Sequence, residues 1–217
     1  MDRVSDLFAL PSDSYDSEIV REGNDVCHRL NLPEHVRRIV WLDRILWHAF
    51  DSDECFFHGR DGLFPARMKG RLAPNEWRPL IASYKMFRYI RRNVPGRVLI
   101  MIPVTFLTLL GAGLTSRFLG ADFGATFGLL LLVIDGPLYV NLLTQGRKML
   151  KLQADLLAAR AEGKEELLSV LRKIQGFGLS DVVETERRQL SRHFSSKPSL
   201  SERIHNLELF NEQQVSH

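Results

Sequence analysis

Three stretches of this 217-residue sequence carry residues whose types and spacing bear on chemistry. In the first, RPLIASYKMFRYIRR from Arg78 to Arg92, positions four apart share one side of a helix. A zinc site built on such a helix uses two histidines at that spacing, with a glutamate between them to activate the metal-bound water. Here the corresponding positions hold Ser83, Tyr84 and Phe87. The second stretch, WHAFDSDECFFH, offers His48, Asp51, Asp53, Glu54, Cys55 and His58. Cys55 and His58 are spaced like metal ligands, but no second Cys/His pair sits nearby, so a turn carrying ordinary surface acids is the simpler reading. The third is a single residue, Asp135, inside an apolar run and followed by Gly136 and Pro137. An acid in that setting either contacts a partner or caps a break in the helix.

The elements that must position these residues can be read from composition and periodicity. A hydrophobic content of 45% is enough for a packed core, and the net charge of +3 with a pI near 9.0 is weakly basic. The basic residues cluster beside apolar runs and no recognition motif accompanies them, so nucleic acid is not expected as a partner. Cys27 and Cys55 show no paired framework and are expected as reduced thiols. No basic stretch followed by an apolar run opens the chain, so no cleavable signal peptide is expected.

Residues 1–18 read as a polar tail, and a helix is expected from Ile19 to about Leu32. Arg37 to Trp41 and Trp47 to Phe57 carry β-branched and aromatic residues around Asp51, Ser52 and Asp53, which predicts a short hairpin or small sheet. His58 to Gly62 forms a turn, and Leu63 to Leu72 a basic connector. Pro74 suits the first position of a helix, with Glu76 in its first turn, and that helix should stop before Pro95 and Gly96. Later helices are expected over Arg147 to Ala161, Glu165 to Ile174 and Ser199 to Phe210, the tail being 211–217.

Two apolar runs separate the halves of this pattern. Residues 98–115 contain no charge and residues 123–144 a single acid. Each is long enough to cross a hydrocarbon layer of roughly 30 Å as a helix. Lys and Arg flank the pair on both sides, against Arg117 alone between them. The expectation is therefore a two-helix transmembrane hairpin at 98–144, with 19–97 and 145–210 forming one cytoplasmic domain and both termini cytoplasmic.

The order of these elements resembles the membrane zinc metallopeptidases of family 48, the lineage of HtpX and the CAAX-prenyl endopeptidase. That family places an NAF turn, a GLL strand end and a HELGH helix before a transmembrane hairpin, and an ExxAD helix and a late HPxxxxRI segment after it. The matching stretches here are WHAF (47–50), GLF (62–64), NEWRPLIASYKMFRY (75–89), KLQAD (151–155) and KPSLSERI (197–204). At the positions of the family's zinc ligands and catalytic glutamate this chain has Ser83, Tyr84, Phe87 and Lys151, and Lys197 replaces the late histidine. None of these groups can do the original work: phenylalanine has no donor atom, and a protonated lysine repels a metal. Asp155, Pro198 and Arg203 are kept.

The resemblance thus implies a mainly α membrane protein: a metallopeptidase-like helical domain with a small β element and a transmembrane hairpin, in a prokaryotic cytoplasmic membrane. It implies no metal, no cofactor and no catalysis. The bilayer and another membrane protein or complex subunit are its expected partners, with binding, assembly or regulation as its role. Tyr84, Met86 and Phe87 are expected to fill the former site, and Lys151 to stand beside Asp155 in place of the missing cation, unless the two form a solvated i, i+4 pair. The alternative is an active membrane zinc metalloendopeptidase with a rearranged site drawing on His48, His58 or His193.

Overall fold

The computed structural model describes residues 13–45, 48–93, 106, 110, 111, 113–118, 120, 122, 126, 145–187 and 197–210. The fold is mostly helical, with a small three-stranded sheet. Helix α1, Ser14–Arg29, begins five residues before its expected start, because the Asp13 carboxylate accepts the Asp16 N–H at 2.8 Å and so satisfies an amide that the first turn leaves open. It buries Ile19, Gly23, Val26 and Cys27 on one face.

The chain then enters the sheet. Strand β1 is Arg38–Trp41, β2 Arg44–Ile45, β3 His48–Ala49, β4 Phe56–His58 and β5 Asp61–Phe64. β2 and β3 form a two-stranded ribbon, while the main sheet runs β1-β5-β4. β5 lies at its centre, parallel to β1 through Arg38↔Asp61 to Trp41↔Phe64, and antiparallel to β4 through Phe57↔Gly62. Of the short hairpin or small sheet expected over 37–41 and 47–57, the structure has a small sheet, and its hairpin is formed by β4 and β5. Gly59, at φ +60°, takes the left-handed conformation that sends the chain back on itself. The start of the expected connector becomes the central strand.

Pro74–Glu76 make a single 3₁₀ turn that leads into helix α2, Trp77–Asn93. The Glu76 carboxylate takes the Ala73 N–H at 2.6 Å, as its place in the first turn suggests. Residues 145–162 are helical and are called α3. α4 is Lys164–Gly176, α5 Ser180–Arg187 and α6 Leu200–Leu209. α5 lies in a stretch for which no helix is expected from the sequence.

The core lies where α1, α2, α4 and α6 meet the sheet, around Ile19, Trp41, Phe64, Trp77, Ile81 and Leu171. Trp41, Phe64 and Trp77 pack edge-on or tilted with ring centroids 4.7 to 5.8 Å apart, the offset arrangement that aromatic quadrupoles favour. Their polar edges are also satisfied. Trp41 Nε1 donates to Asp16 at 2.8 Å, and Trp77 Nε1 to the Tyr15 hydroxyl at 3.1 Å. Arg78 ties α2 to its neighbours, reaching Glu22 and Asp25 on α1 at 2.7 and 2.5 Å and Glu162 at the end of α3 at 3.2 Å.

The transmembrane part of the expected fold is corrected. Among the described residues no helix is long and apolar enough to cross a membrane. This overturns the hairpin at 98–144, and with it the expected multi-pass membrane protein with cytoplasmic termini. A span needs about 20 predominantly apolar residues in one helix. The longest described helical run of this region, 113–118, includes Thr115, Ser116 and Arg117, and the other described helices are amphipathic. Apolar length in sequence is not sufficient for a span. Most of 98–115 and all of 123–144 except 126 lie outside the described residues, as do Asp135 and both expected tails apart from 13–18.

Gly62 provides a direct check on this packing. A Cβ there would lie 2.8 Å from the Phe64 ring, 3.0 Å from Ile39 Cδ1 and 3.2 Å from the Phe57 ring. Gly62→Val is expected to destabilise the chain by about 1 to 3 kcal/mol in urea unfolding. An unchanged midpoint would show that β5 does not sit under this aromatic layer.

Candidate functional site

Three segments far apart in sequence meet at one buried cluster. Ser83 lies in the middle of α2, within the run 79–83 in which every residue is buried. Opposite it, α3 presents Lys151 and Asp155 one turn apart. Ala82 on α2 and Ala154, Ala158 and Ala159 on α3 are all buried, and side chains this small let helices approach closely. As a result the Ser83 hydroxyl donates to Asp155 Oδ1 at 2.5 Å, with both residues fully buried.

The third segment is the start of α6. Ser199 caps it, its Oγ accepting from Glu202 N at 3.2 Å while the Glu202 carboxylate takes Ser199 N at 2.9 Å. Glu202 also receives Lys148 Nζ at 2.5 Å, which ties α6 to α3. The buried face of α6 carries Leu200, Arg203, Ile204 and Leu207 at helical spacing, so a guanidinium enters the interior along an otherwise apolar stripe. Arg203 meets Asp155 side-on, Nε to Oδ2 and Nη2 to Oδ1, both at 2.8 Å. Its Nη1 donates to Asp53 Oδ2 at 2.6 Å and to the Asp53 carbonyl at 3.2 Å. This two-point geometry is the strongest that a guanidinium and a carboxylate can form.

Asp53 lies in the loop between β3 and β4. Asp181 of α5 anchors that loop by accepting Ser52 N at 2.8 Å and Ser52 Oγ at 3.0 Å, and Arg67 holds Asp181 at 3.2 Å. Lys197 closes the cluster, reaching Asp53 at 2.5 Å and Asp51 at 2.9 Å. Lys151 lies 3.7 Å from Glu54 and directs its ammonium toward the Phe87 ring, 5.8 Å from the centroid. Three cations thus interleave with four acids.

The electrostatics follow from these partners. Burial alone would push the Asp53 carboxyl up, but Lys197 and Arg203 beside it hold it well below the usual carboxylate range. Asp51 moves the other way. Its burial outweighs the one lysine it shares, and Asp53 and Glu54 add repulsion, so its carboxyl is raised. Lys197 is raised despite burial, by Asp53, Glu54 and Asp51. Burial raises Tyr84 and keeps its phenol protonated, and it pushes the Cys55 thiol up to about 12.

The arrangement therefore pairs its charges internally. The Ser83 proton is committed to Asp155, and no imidazole belongs to the cluster among the described residues. Tyr84 packs against Phe56 and Phe57, with ring centroids 5.6 and 5.5 Å away. Among the described residues no group of three or more His, Cys, Asp or Glu is placed to hold a metal ion. The carboxylates of the cluster face Arg203, Lys197 and Lys151 instead.

The structure brings together Ser83, Lys151, Asp155, Lys197 and Arg203, and places Phe87 against Lys151. Pro198 is buried just before the α6 cap. The expected partner of Lys151 is changed: Asp155 belongs to Arg203 and Ser83, and Lys151 turns to Glu54. Asp53 was missed. It reads in sequence as a surface acid in a turn, yet it is only 4% exposed. The signal for it lay in Lys197 and Arg203, about 145 residues away, and no local pattern connects them. Cys55 and His58 do not form a ligand pair, since Cys55 is buried with its thiol toward the Leu80 carbonyl while His58 is exposed on β4. His193 and the side chain of His48 lie outside the described residues. A comparison of the sequence with protein-family models finds no match, and neither does one with curated proteins.

The directions of these shifts fix a pH dependence. A carboxyl depressed on folding stabilises the native state above its unfolded value and loses that contribution as the pH falls, here below the ordinary aspartate value of 3.8. A raised lysine contributes fully below its ordinary value of 10.5 and loses its effect only at higher pH. Asp53→Asn is expected to cost about 3 kcal/mol in urea unfolding near pH 7. The gap to the parent chain should shrink steadily from about pH 4 downward, and a gap that stays constant would remove Asp53 from the ionised cluster.

Proposed function

We propose that this chain is a catalytically silent, metallopeptidase-like protein that acts by binding, as an assembly or regulatory partner of another protein. The observation that carries this reading is the convergence at Asp155. Three stretches that resemble family 48 on sequence supply Ser83, Lys151, Asp155, Lys197 and Arg203, and these meet in one cluster although they lie up to 120 residues apart. The positions corresponding to the metal ligands and the catalytic acid carry a hydroxyl, an aromatic ring, a phenol held protonated and an ammonium. Such a set can support a fold and cannot activate water.

This reading separates the scaffold from the chemistry. Asp155 and Arg203 serve to join α3, α6 and the β3–β4 loop, a task that is independent of any metal. The positions that would have bound a cation are filled from within by Lys151 and by Tyr84 and Phe87 packing. What remains for selection to act on is the outer surface of this scaffold, and hence recognition.

Metal analysis of the purified chain tests the reading. The parent protein is expected to carry less than about 0.1 zinc per chain and to show no chelator-sensitive peptidase activity. The combined replacement Ser83→His, Tyr84→Glu, Phe87→His and Lys151→Glu is expected to take up about one zinc per chain. Stoichiometric zinc in the parent, with peptide hydrolysis abolished by chelator, would overturn the proposal.

A further inference from the structure

The loop between α1 and β1 and the last two turns of α2 enclose a groove of about 680 Å³, within the range of small-ligand sites. Asn31, Leu32, Pro33 and Glu34 line it from the loop, and Lys85, Arg88, Tyr89, Arg91 and Arg92 from the helix. The loop wall is fixed at both ends. Asn31 takes a left-handed conformation at φ 51° and Leu32 N bonds back to the Cys27 carbonyl at 2.9 Å. Further on, the Asn24 side chain holds both Val36 N and Val36 O, at 2.7 and 3.1 Å. A groove with a wall this constrained needs little ordering when a ligand enters.

Its charge is one-sided. Four basic side chains and one acid line it, a surplus equal to the +3 of the entire chain. The acid is already answered, because Lys85, only 2% exposed, bonds Glu34 at 2.7 Å and stacks over the Phe57 ring at 4.3 Å. Arg88 is 3.8 Å from Glu34 and donates to the Phe57 carbonyl at 3.3 Å, so it is held in place without being neutralised. Arg91 and Arg92 are exposed, and the Arg92 charge acts on Glu34 from further away than Lys85 and Arg88 do. Positions 88, 91 and 92 are three and four apart, which sets three guanidinium groups on one face of α2. A basic last turn suits the helix dipole, but that does not require a concave wall opposite it.

We propose that this groove binds a phosphate-bearing ligand through Arg88, Arg91 and Arg92. Guanidinium forks match the geometry of phosphate oxygens and give two-point, charge-assisted hydrogen bonds. Tyr89, 54% exposed beside them, adds an aromatic face and a hydroxyl donor for the part of the ligand that bears the phosphate. The site does not depend on the metallopeptidase reading, since none of its residues belongs to the Asp155 cluster.

The test uses the full chain and two probes, pyrophosphate by calorimetric titration at low salt and phosphatidylglycerol vesicles by flotation. Arg91→Gln combined with Arg92→Gln alters only exposed side chains, and circular dichroism checks its fold. Arg21→Gln with Arg172→Gln, on other surfaces, matches its charge. Pyrophosphate binding that weakens about tenfold or more in the groove variant and not in the control supports a soluble phosphate ligand. Vesicle binding alone, lost in the same variant, supports a lipid headgroup as the source of the phosphate. Failure of the parent chain to bind either probe, or equal binding by the groove variant and the control, overturns the proposal.

Discussion

A fully buried guanidinium sets the terms for this structure. Arg203 has no contact with solvent, and moving a charge that size out of water costs several kcal/mol even after relaxation. That cost is offset only if almost every donor finds an acceptor. Arg203 finds four hydrogen bonds, two on Asp155 and two on Asp53. The acceptors come from a helix and a loop that are distant in sequence, so satisfying one side chain fixes the relative placement of α3, α6 and the β3–β4 loop. The remaining groups follow from this. Lys197 balances the second oxygen of Asp53, and Ser83 completes Asp155 from α2.

Apolar packing surrounds this cluster and does a different job. The Trp41, Phe64 and Trp77 layer, with the apolar faces of α1, α2, α4 and α6, supplies burial that is roughly proportional to area and has little directional preference. The ion pairs supply direction. Arg78 does the same at the other end of α2, where it joins α1 and α3 through three carboxylates. Between these two fixed points the buried alanines of α3 keep the helices close enough for a serine, rather than a longer side chain, to reach Asp155.

Part of this was legible in the sequence and part was not. The helix beginning near Pro74 and its Glu76 cap were readable because capping is a local property, and the amphipathic stripe of α6 was readable for the same reason. Ser83, Lys151, Asp155, Lys197 and Arg203 are singled out through the resemblance to family 48, although nothing in that resemblance assigns Asp155 to Arg203 instead of Lys151. Asp53 was hidden because its partners are about 145 residues away and three acids in a turn look solvated. The order of the sheet is not legible in the sequence because the pairing of β1 with β5 is parallel and depends on Gly62 fitting beneath three apolar side chains. The apolar runs at 98–144 were read as membrane spans from length and hydropathy alone, and those properties do not distinguish a span from other apolar sequence.

The proposed function rests on the same interaction as the fold, because among the described residues the carboxylates of this site face cations of the chain itself. The most direct measurement is a double-mutant cycle between Asp155 and Arg203 in urea unfolding, using Asp155→Leu and Arg203→Met. Each single replacement is expected to destabilise the chain by about 3 to 5 kcal/mol, because it leaves a buried charge alone, while the double replacement should restore most of that loss. Additivity of the two effects within about 0.5 kcal/mol would contradict the account.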